Sequence, residues 1–359
     1  MIFLVVVLHS GLIYEKSSFS TLLWIVYDPD TNNLVGDLRI ILDIFIMSTI
    51  FFISGFLTPP SLKKKNAWAF VKSKLRRLML PWLIAVLTLL PLYKWLYLYS
   101  RNLPQQEWTS YFHWSNNLWG QNWLWFLPVL FVFDLTALTW SKANIKLKSL
   151  TLKKAIIAIF VIGLTYSVAM DFYHLQGWTK TFLLDFQNER LLIYLLFFAL
   201  GALCYELKIF ESAPGSKRLY FAILCTAWLP ITIYHFFYTH SLAKPNEVLF
   251  SRTADIVLQW TAFHLSLLGL LYLMLNTFRL FLAQQGKLSR VLNRNSYPVY
   301  ILHVIVMGAL AMAMLHLALP SLLKFTILVL STFAISNLFV SAYRYFIRSR
   351  ISAKRVLQN

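Results

Sequence analysis

His9 stands in an apolar run, Ile2-Phe-Leu-Val-Val-Val-Leu-His9-Ser-Gly-Leu-Ile-Tyr14. A titratable group at bilayer depth is costly, so it faces a protein interior or a wet cavity, and it is a functional candidate. Imidazole takes and gives protons near neutral pH. A second polar set lies far downstream, in Ser296-Tyr297-Pro298-Val-Tyr300-Ile-Leu-His303. Ser296, Tyr300 and His303 follow i, i+4, i+7 spacing, so they share one helix face, which is predicted to point inward. Hydrogen-bonded glue between helices explains that stripe equally well. Two acids could orient an imidazole: Asp43, six residues past Asp37, and Asp255. His264, in the middle of another apolar segment, reads as a satisfied interior histidine rather than a catalyst.

The remaining chemical candidate is cationic. The run Lys72-Ser-Lys74-Leu-Arg76-Arg77-Leu-Met-Leu-Pro81 carries no acid. Arg forks match phosphate oxygens, and Lys supplies point charge. The same run would also serve as ordinary positive flanking of a membrane span. Pro81 is expected in the first turns of the helix, where a missing N–H costs little.

These residues need a scaffold, and composition says what it is. The 359 residues are 58% apolar and 17% aromatic, with 13% charged. Soluble domains carry about 25% charged residues. Apolar segments of spanning length, about 17–25 residues, are predicted near 38–57, 78–99, 123–140, 153–170, 191–206, 219–238, 254–275, 296–316 and 322–346. The run at 2–14 is short and has no basic n-region, so it reads as an N-terminally truncated first helix rather than a signal peptide. The expectation is an all-α, polytopic integral membrane protein of ten transmembrane helices. Residues 1–359 are read as a single membrane domain. Cys204 and Cys225 form no metal-ligand spacing.

Loop charge supports the count. The net charge is +19, from 33 Lys and Arg against 14 Asp and Glu. Basic residues gather at 58–77, 141–154, 276–295 and in the tail, whereas 15–36 and 171–190 are near neutral or acidic. That alternation predicts both ends on the cytoplasmic side of the inner membrane, and an even number of spans. It accounts for the positive charge without nucleic acid. The outward segment 100–122 carries Trp108, Tyr111, His113, Trp114 and Trp119, read as an interfacial aromatic belt or as a platform for sugar rings.

A phosphate-binding loop, a G-x-S-x-G elbow and an H-E-x-x-H helix are all missing from the sequence. The residues alone therefore leave group transfer across the membrane and proton-coupled transport both open.

Five pieces in order carry a resemblance. They are the Val-Val-Val-Leu-His9 stretch, Phe51-Phe52-Ile-Ser54-Gly55-Phe56, Lys74-Leu-Arg76-Arg77-Leu-Met-Leu-Pro81, Trp125-Phe126-Leu127, and Ser296 through His303. Together the chain resembles the membrane acyltransferase family 3. The stretches Asp43-Ile-Phe-Ile-Met-Ser-Thr-Ile-Phe-Phe and Trp125-Phe-Leu look most like its glucan succinyltransferase branch. The resemblance implies transfer of a short acyl group, acetyl or succinyl, from cytoplasmic acyl-CoA to a hydroxyl of an extracytoplasmic glycan. Acyl-CoA would be a cosubstrate, with no permanently bound cofactor. It further implies His9 as the essential histidine and Lys74 and Arg77, with Arg76 adjacent, as the basic motif. The family's basic residue eleven positions before that histidine would fall ahead of Met1.

On this reading Lys74, Arg76, Arg77 and Ser296 are expected to hold the cosubstrate. His9 is expected to take the hydroxyl proton or to accept the acyl group first, Asp43 or another acid such as Asp255 to orient it, Tyr300 or Ser296 to donate to the developing oxyanion, and His303 to belong to the same site. Apart from the resemblance, the small pair Ser54-Gly55 is expected to let two helices approach closely.

Overall fold

A computed structural model describes residues 1–16, 24–112, 120–142, 150–211, 215–245, 247–282, 284 and 286–356. His113, Trp114 and Trp119 of the expected sugar platform lie outside the described residues. The described chain is almost wholly helical. Its helices are α1 (Ile2–Tyr14), α2 (Asn33–Lys64), α3 (Ala67–Lys74), α4 (Leu80–Ser100), α5 (Phe126–Lys142), α6 (Leu152–Phe172), α7 (Asn188–Glu206), α8 (Lys217–Thr226), α9 (Trp228–Ala243), α10 (Arg252–Phe281), α11 (Lys287–Met314) and α12 (Ser321–Val356). Lipid offers no partner to a backbone N–H or C=O, so an apolar run that spans must bond its own backbone. Among the described residues, nine helical stretches are long and apolar enough to cross a membrane, and α1 is a shorter apolar helix. The chain is an all-α polytopic membrane protein, with these ten elements where the sequence predicts spans.

Local chemistry sets the ends. Asn66 accepts the Ala69 N–H at 2.8 Å to start α3, and Ser251 accepts the Ala254 N–H at 3.2 Å to start α10. The predicted span at 219–238 is two helices that meet at Ala227 and Trp228. Pro230 has no N–H to give the carbonyl four residues back, which places the break there. Pro81 is the second residue of α4, in the first turn as the sequence suggests. Helix α3 begins at Ala67, and the five residues Leu75–Met79 form a π-helical turn before α4. A proline ring collides with the carbonyl of residue i−4, here Arg77, and the wider turn makes room for it.

The connection 171–190 holds the described chain's strands, β1 (Trp178–Lys180) and β2 (Asp185–Gln187). They form an antiparallel hairpin with Thr179 opposite Phe186. Asp185 is buried and accepts the Gln121 N–H at 2.8 Å.

The chain divides into two compact units. Met1–Arg39, Ala85–Leu118 and Gln284–Asn359 form the first, and Ile40–Ile84 with Trp119–Ala283 form the second. In the first, α1 packs on α11 and α12. Its core includes Val5, Val6, Ile13, Val304 and Met307, all nearly inaccessible. The connection after α1 is pinned to this core. The Asn32 N–H donates to the Tyr14 carbonyl at 2.7 Å, Lys324 pairs with Asp28 at 3.0 Å with both side chains buried, and Arg39 pairs with Glu15.

In the second unit α2 and α7 touch backbone to backbone. A Cβ on Gly55 would overlap the Phe198 carbonyl, and one on Gly201 would overlap the Phe52 carbonyl. The close approach expected of Ser54-Gly55 is there, with a glycine of the facing helix completing it. Helices α6 and α10 are joined by polar contacts. Trp260 Nε1 donates to Asp171 at 2.7 Å, and His264 bonds Ser167 at 3.1 Å. His264 is thus the satisfied interior histidine that the sequence suggested.

Two outcomes are expected. Gly201→Leu should destabilise the protein by about 3 kcal/mol or more, since overpacking a tight contact costs roughly 1–3 kcal/mol for far smaller additions; a thermal-melt series in detergent would measure it. Burial pushes the Asp185 carboxyl up. A raised folded value means stability that is full at pH below the unfolded value, about 3.9, and that is lost as pH rises through the folded value. Asp185→Asn should remove that part of the pH dependence while keeping an acceptor for Gln121, as paired melts from pH 4 to 7 would read.

Candidate active site

His9 and His303 meet in the first unit. His9 Nδ1 lies 2.8 Å from His303 Nε2, with the two rings within 6° of parallel. His303 is wholly buried, and its Nδ1 lies 2.7 Å from the Tyr300 carbonyl and 3.2 Å from that of Val299. A carbonyl has no proton to give, so His303 Nδ1 must be the donor. With His303 neutral, its Nε2 is a lone pair, and His9 Nδ1 donates to it. The remaining nitrogen, His9 Nε2, then carries a lone pair and has no hydrogen-bond partner among the described residues. His9 is half-buried, so this nitrogen belongs to the less enclosed of the two rings.

Why the chain arranges itself so is local. In α11, side chains at i and i+3 or i+4 lie along one face, which puts the His303 ring over the carbonyls of the preceding turn. Tyr300 is buried beside it, ring centroids 6.0 Å apart. One turn along from His303, Met307 accepts the Ser10 hydroxyl at 3.3 Å, so α1 and α11 are joined at successive residues, 9 and 10. Trp24, from the connection after α1, lies 5.1 Å from His9 between ring centroids. Its carbonyl accepts Arg101 at 3.0 Å, and Arg101 stacks 4.0 Å over Tyr97. Gly308 makes space for Ile25, whose Cδ1 would lie 2.5 Å from a Cβ there. In the sequence Trp24 carries no functional signal, since an aromatic residue in a connection between spans is common. Its signal is visible only once the connection folds onto α11.

The basic motif belongs to the second unit, where its members part company. Lys74 pairs with Asp134 at 2.7 Å, and Thr58 donates to the same carboxylate oxygen at 2.9 Å. Asp134 is fully buried. Arg76 and Arg77 ride on the π-helical turn and are exposed. Lys74 is therefore paired with a carboxylate, while Arg76 and Arg77 are exposed, with the Arg77 charge also felt by Asp134.

The expected acid partner of His9 is not a carboxylate but His303. Asp43 bonds Arg190 at 2.8 Å, and Asp255 accepts the Leu249 and Phe250 N–H groups at 2.8 and 3.2 Å. Arg190, read from sequence as a loop residue, is buried, lies 5.0 Å over the Phe263 ring and reaches the Tyr234 hydroxyl at 3.5 Å. The depth of Asp43 was the available signal, because an intramembrane acid calls for an opposite charge. Ser296 departs from its expected stripe. Its hydroxyl returns to the Asn293 carbonyl at 2.7 Å, and the inward residue is Asn295, which donates to Ser341 at 2.8 Å.

The five motifs that carry the resemblance now have structural settings. Trp125 packs with Tyr194 and Phe51, Gly55 seats α2 on α7, Lys74 binds Asp134, and His9 meets His303. The model of an acyltransferase domain family, acyltransferase family 3, matches residues 1–340. The chain belongs to this family. It is a membrane acyltransferase. No curated protein and no solved structure matches it.

Removing one partner of a buried ion pair leaves the other charge uncompensated, at a cost of about 3–5 kcal/mol. Lys74→Met should therefore destabilise this acyltransferase strongly. Arg76→Ala, at an exposed position, should change stability by no more than about 0.5 kcal/mol. Chemical unfolding in micelles compares the two.

Proposed function

We propose that this protein transfers a short acyl group, acetyl or succinyl, from cytoplasmic acyl-CoA to a hydroxyl of an extracytoplasmic glycan, with His9 as the base. The observation that carries the reading is the chain of protons from His9 through His303 to the Tyr300 carbonyl, which leaves His9 Nε2 as a lone pair. Its family membership supplies the reaction class.

A hydroxyl is a poor nucleophile at neutral pH and needs a positioned base. His9 Nε2 takes the proton as the hydroxyl oxygen attacks the thioester carbonyl carbon. A C–O bond forms, and the carbonyl π pair moves onto its oxygen. Collapse of that intermediate breaks the C–S bond. The departing thiolate takes the proton back from His9, giving an ester and free CoA thiol. While His9 is an imidazolium, its Nδ1–H bonds the neutral His303 more strongly, because hydrogen bonds from charged donors are about twice as strong. His303 is thus a positioning residue, in the place a carboxylate holds in a triad. Tyr300 backs it. Asp43 holds Arg190 and has no part in the proton transfer.

Arg76 and Arg77 are the phosphate grip, because both are exposed cations with forked donors. Lys74 sets the turn that displays them. The alternation of basic and near-neutral connections supports a cytoplasmic side of the inner membrane for that turn and for both ends. The similarity around Asp43 and Trp125 favours a glucan as acceptor.

Membranes from cells expressing the protein would be given acetyl-CoA or succinyl-CoA and the glycan fraction of the same cells, with thiol release and the mass of the glycan as readouts. His9→Ala should lower transfer by at least about 10²-fold, the lower range of a general base's contribution, with membrane insertion unchanged. Arg76→Ala should raise KM for the donor roughly tenfold, the loss of a charged hydrogen bond. Full activity in His9→Ala would overturn the assignment of the base.

A further inference from the structure

The Trp24 indole is buried, at 5% exposure, and its Nε1 has no hydrogen-bond partner among the described residues. An indole N–H can only donate. A buried donor without an acceptor lowers stability, and its presence calls for a reason. This one is not a stray contact. The Trp24 carbonyl is held by Arg101, and the following Ile25 and Val26 are completely buried. The ring packs edge-on against Tyr93 at 6.2 Å and lies 5.1 Å from His9, tilted by 44°. The protein thus keeps a buried indole, its N–H unbonded among the described residues, beside the ring proposed as base.

We infer that the Trp24 indole N–H is a catalytic hydrogen-bond donor to the oxyanion formed in acyl transfer. The inference rests on the reading of His9 as base. An oxygen whose proton passes to His9 Nε2 attacks from about 3 Å away, and the negative oxygen forms on the attacked carbon, within a few ångströms of that ring. A preorganised donor on a ring that packs against the base would stabilise charge present in the transition state and absent from the bound thioester. The N–H bond stays intact; it lends a hydrogen bond as the carbonyl π pair moves onto oxygen, and gives it up when the C–S bond breaks. This accounts for an unpaired donor in the resting protein, since its acceptor exists only during the reaction.

The test is Trp24→Phe in the full chain, assayed with whichever of acetyl-CoA or succinyl-CoA supports His9-dependent thiol release. The expected result is a fall in kcat of about 10²–10³-fold, the range for loss of one oxyanion donor. KM for the donor should stay within about twofold, and the melting temperature should be unchanged or higher. A residue that only packs would instead lower the melting temperature. Replacing Trp24 by benzothienylalanine, which puts sulfur in place of the N–H in a ring of nearly the same shape, checks the result should the smaller ring disturb folding. If either folded variant keeps kcat within about threefold of the parent while His9→Ala is inactive, the donor role is overturned and the base stands. If His9→Ala is active, the underlying reading fails first.

Discussion

A polar group inside a lipid layer has no water to bond, so it must find its partner within the protein. That requirement organises this molecule. His9 meets His303, Lys74 meets Asp134, Arg190 meets Asp43, His264 meets Ser167, and Lys324 meets Asp28. In every case the partner comes from a different helix or connection. Apolar contact between helices gains little in a medium as apolar as leucine, so these pairs and the glycine contacts decide which helices adjoin. The α6–α10 pairing shows it: Asp171–Trp260 and Ser167–His264 are spaced about one turn apart on both helices.

The choice of a second imidazole as partner for His9 has a physical sense. A carboxylate in that wholly buried position would be an anion in need of compensation, and desolvating it costs several kcal/mol. A neutral imidazole accepts the same hydrogen bond without that penalty, provided that its other nitrogen has a fixed use. The Tyr300 carbonyl provides it. The tautomers of both rings follow from one backbone oxygen, and with them the location of the free lone pair.

The basic motif shows how one run of cations divides by geometry. Lys74 faces inward to a buried acid, while Arg76 and Arg77 are exposed residues of the π-helical turn. The turn itself answers Pro81, whose ring would otherwise meet the Arg77 carbonyl. A proline thus determines how two arginines further back are presented.

The sequence by itself determined the class of fold and the positions of the spans, because runs of apolar residues in lipid have only one economical backbone, the helix. It also determined His9 and His303 as the imidazoles to examine, since intramembrane titratable groups are scarce. The tertiary structure alone decided the pairings. Nothing in the spacing tells His9 to bond a ring 294 residues away rather than Asp43, or tells Arg190 to claim that acid. Those choices depend on which helices adjoin and at what height, and that is fixed by glycine contacts such as Gly55 with Phe198 and by the folding of a connection over α11. Trp24 is the clearest instance: in the sequence it is one aromatic residue in a connection between spans, and its meaning lies in an N–H left unpaired among the described residues.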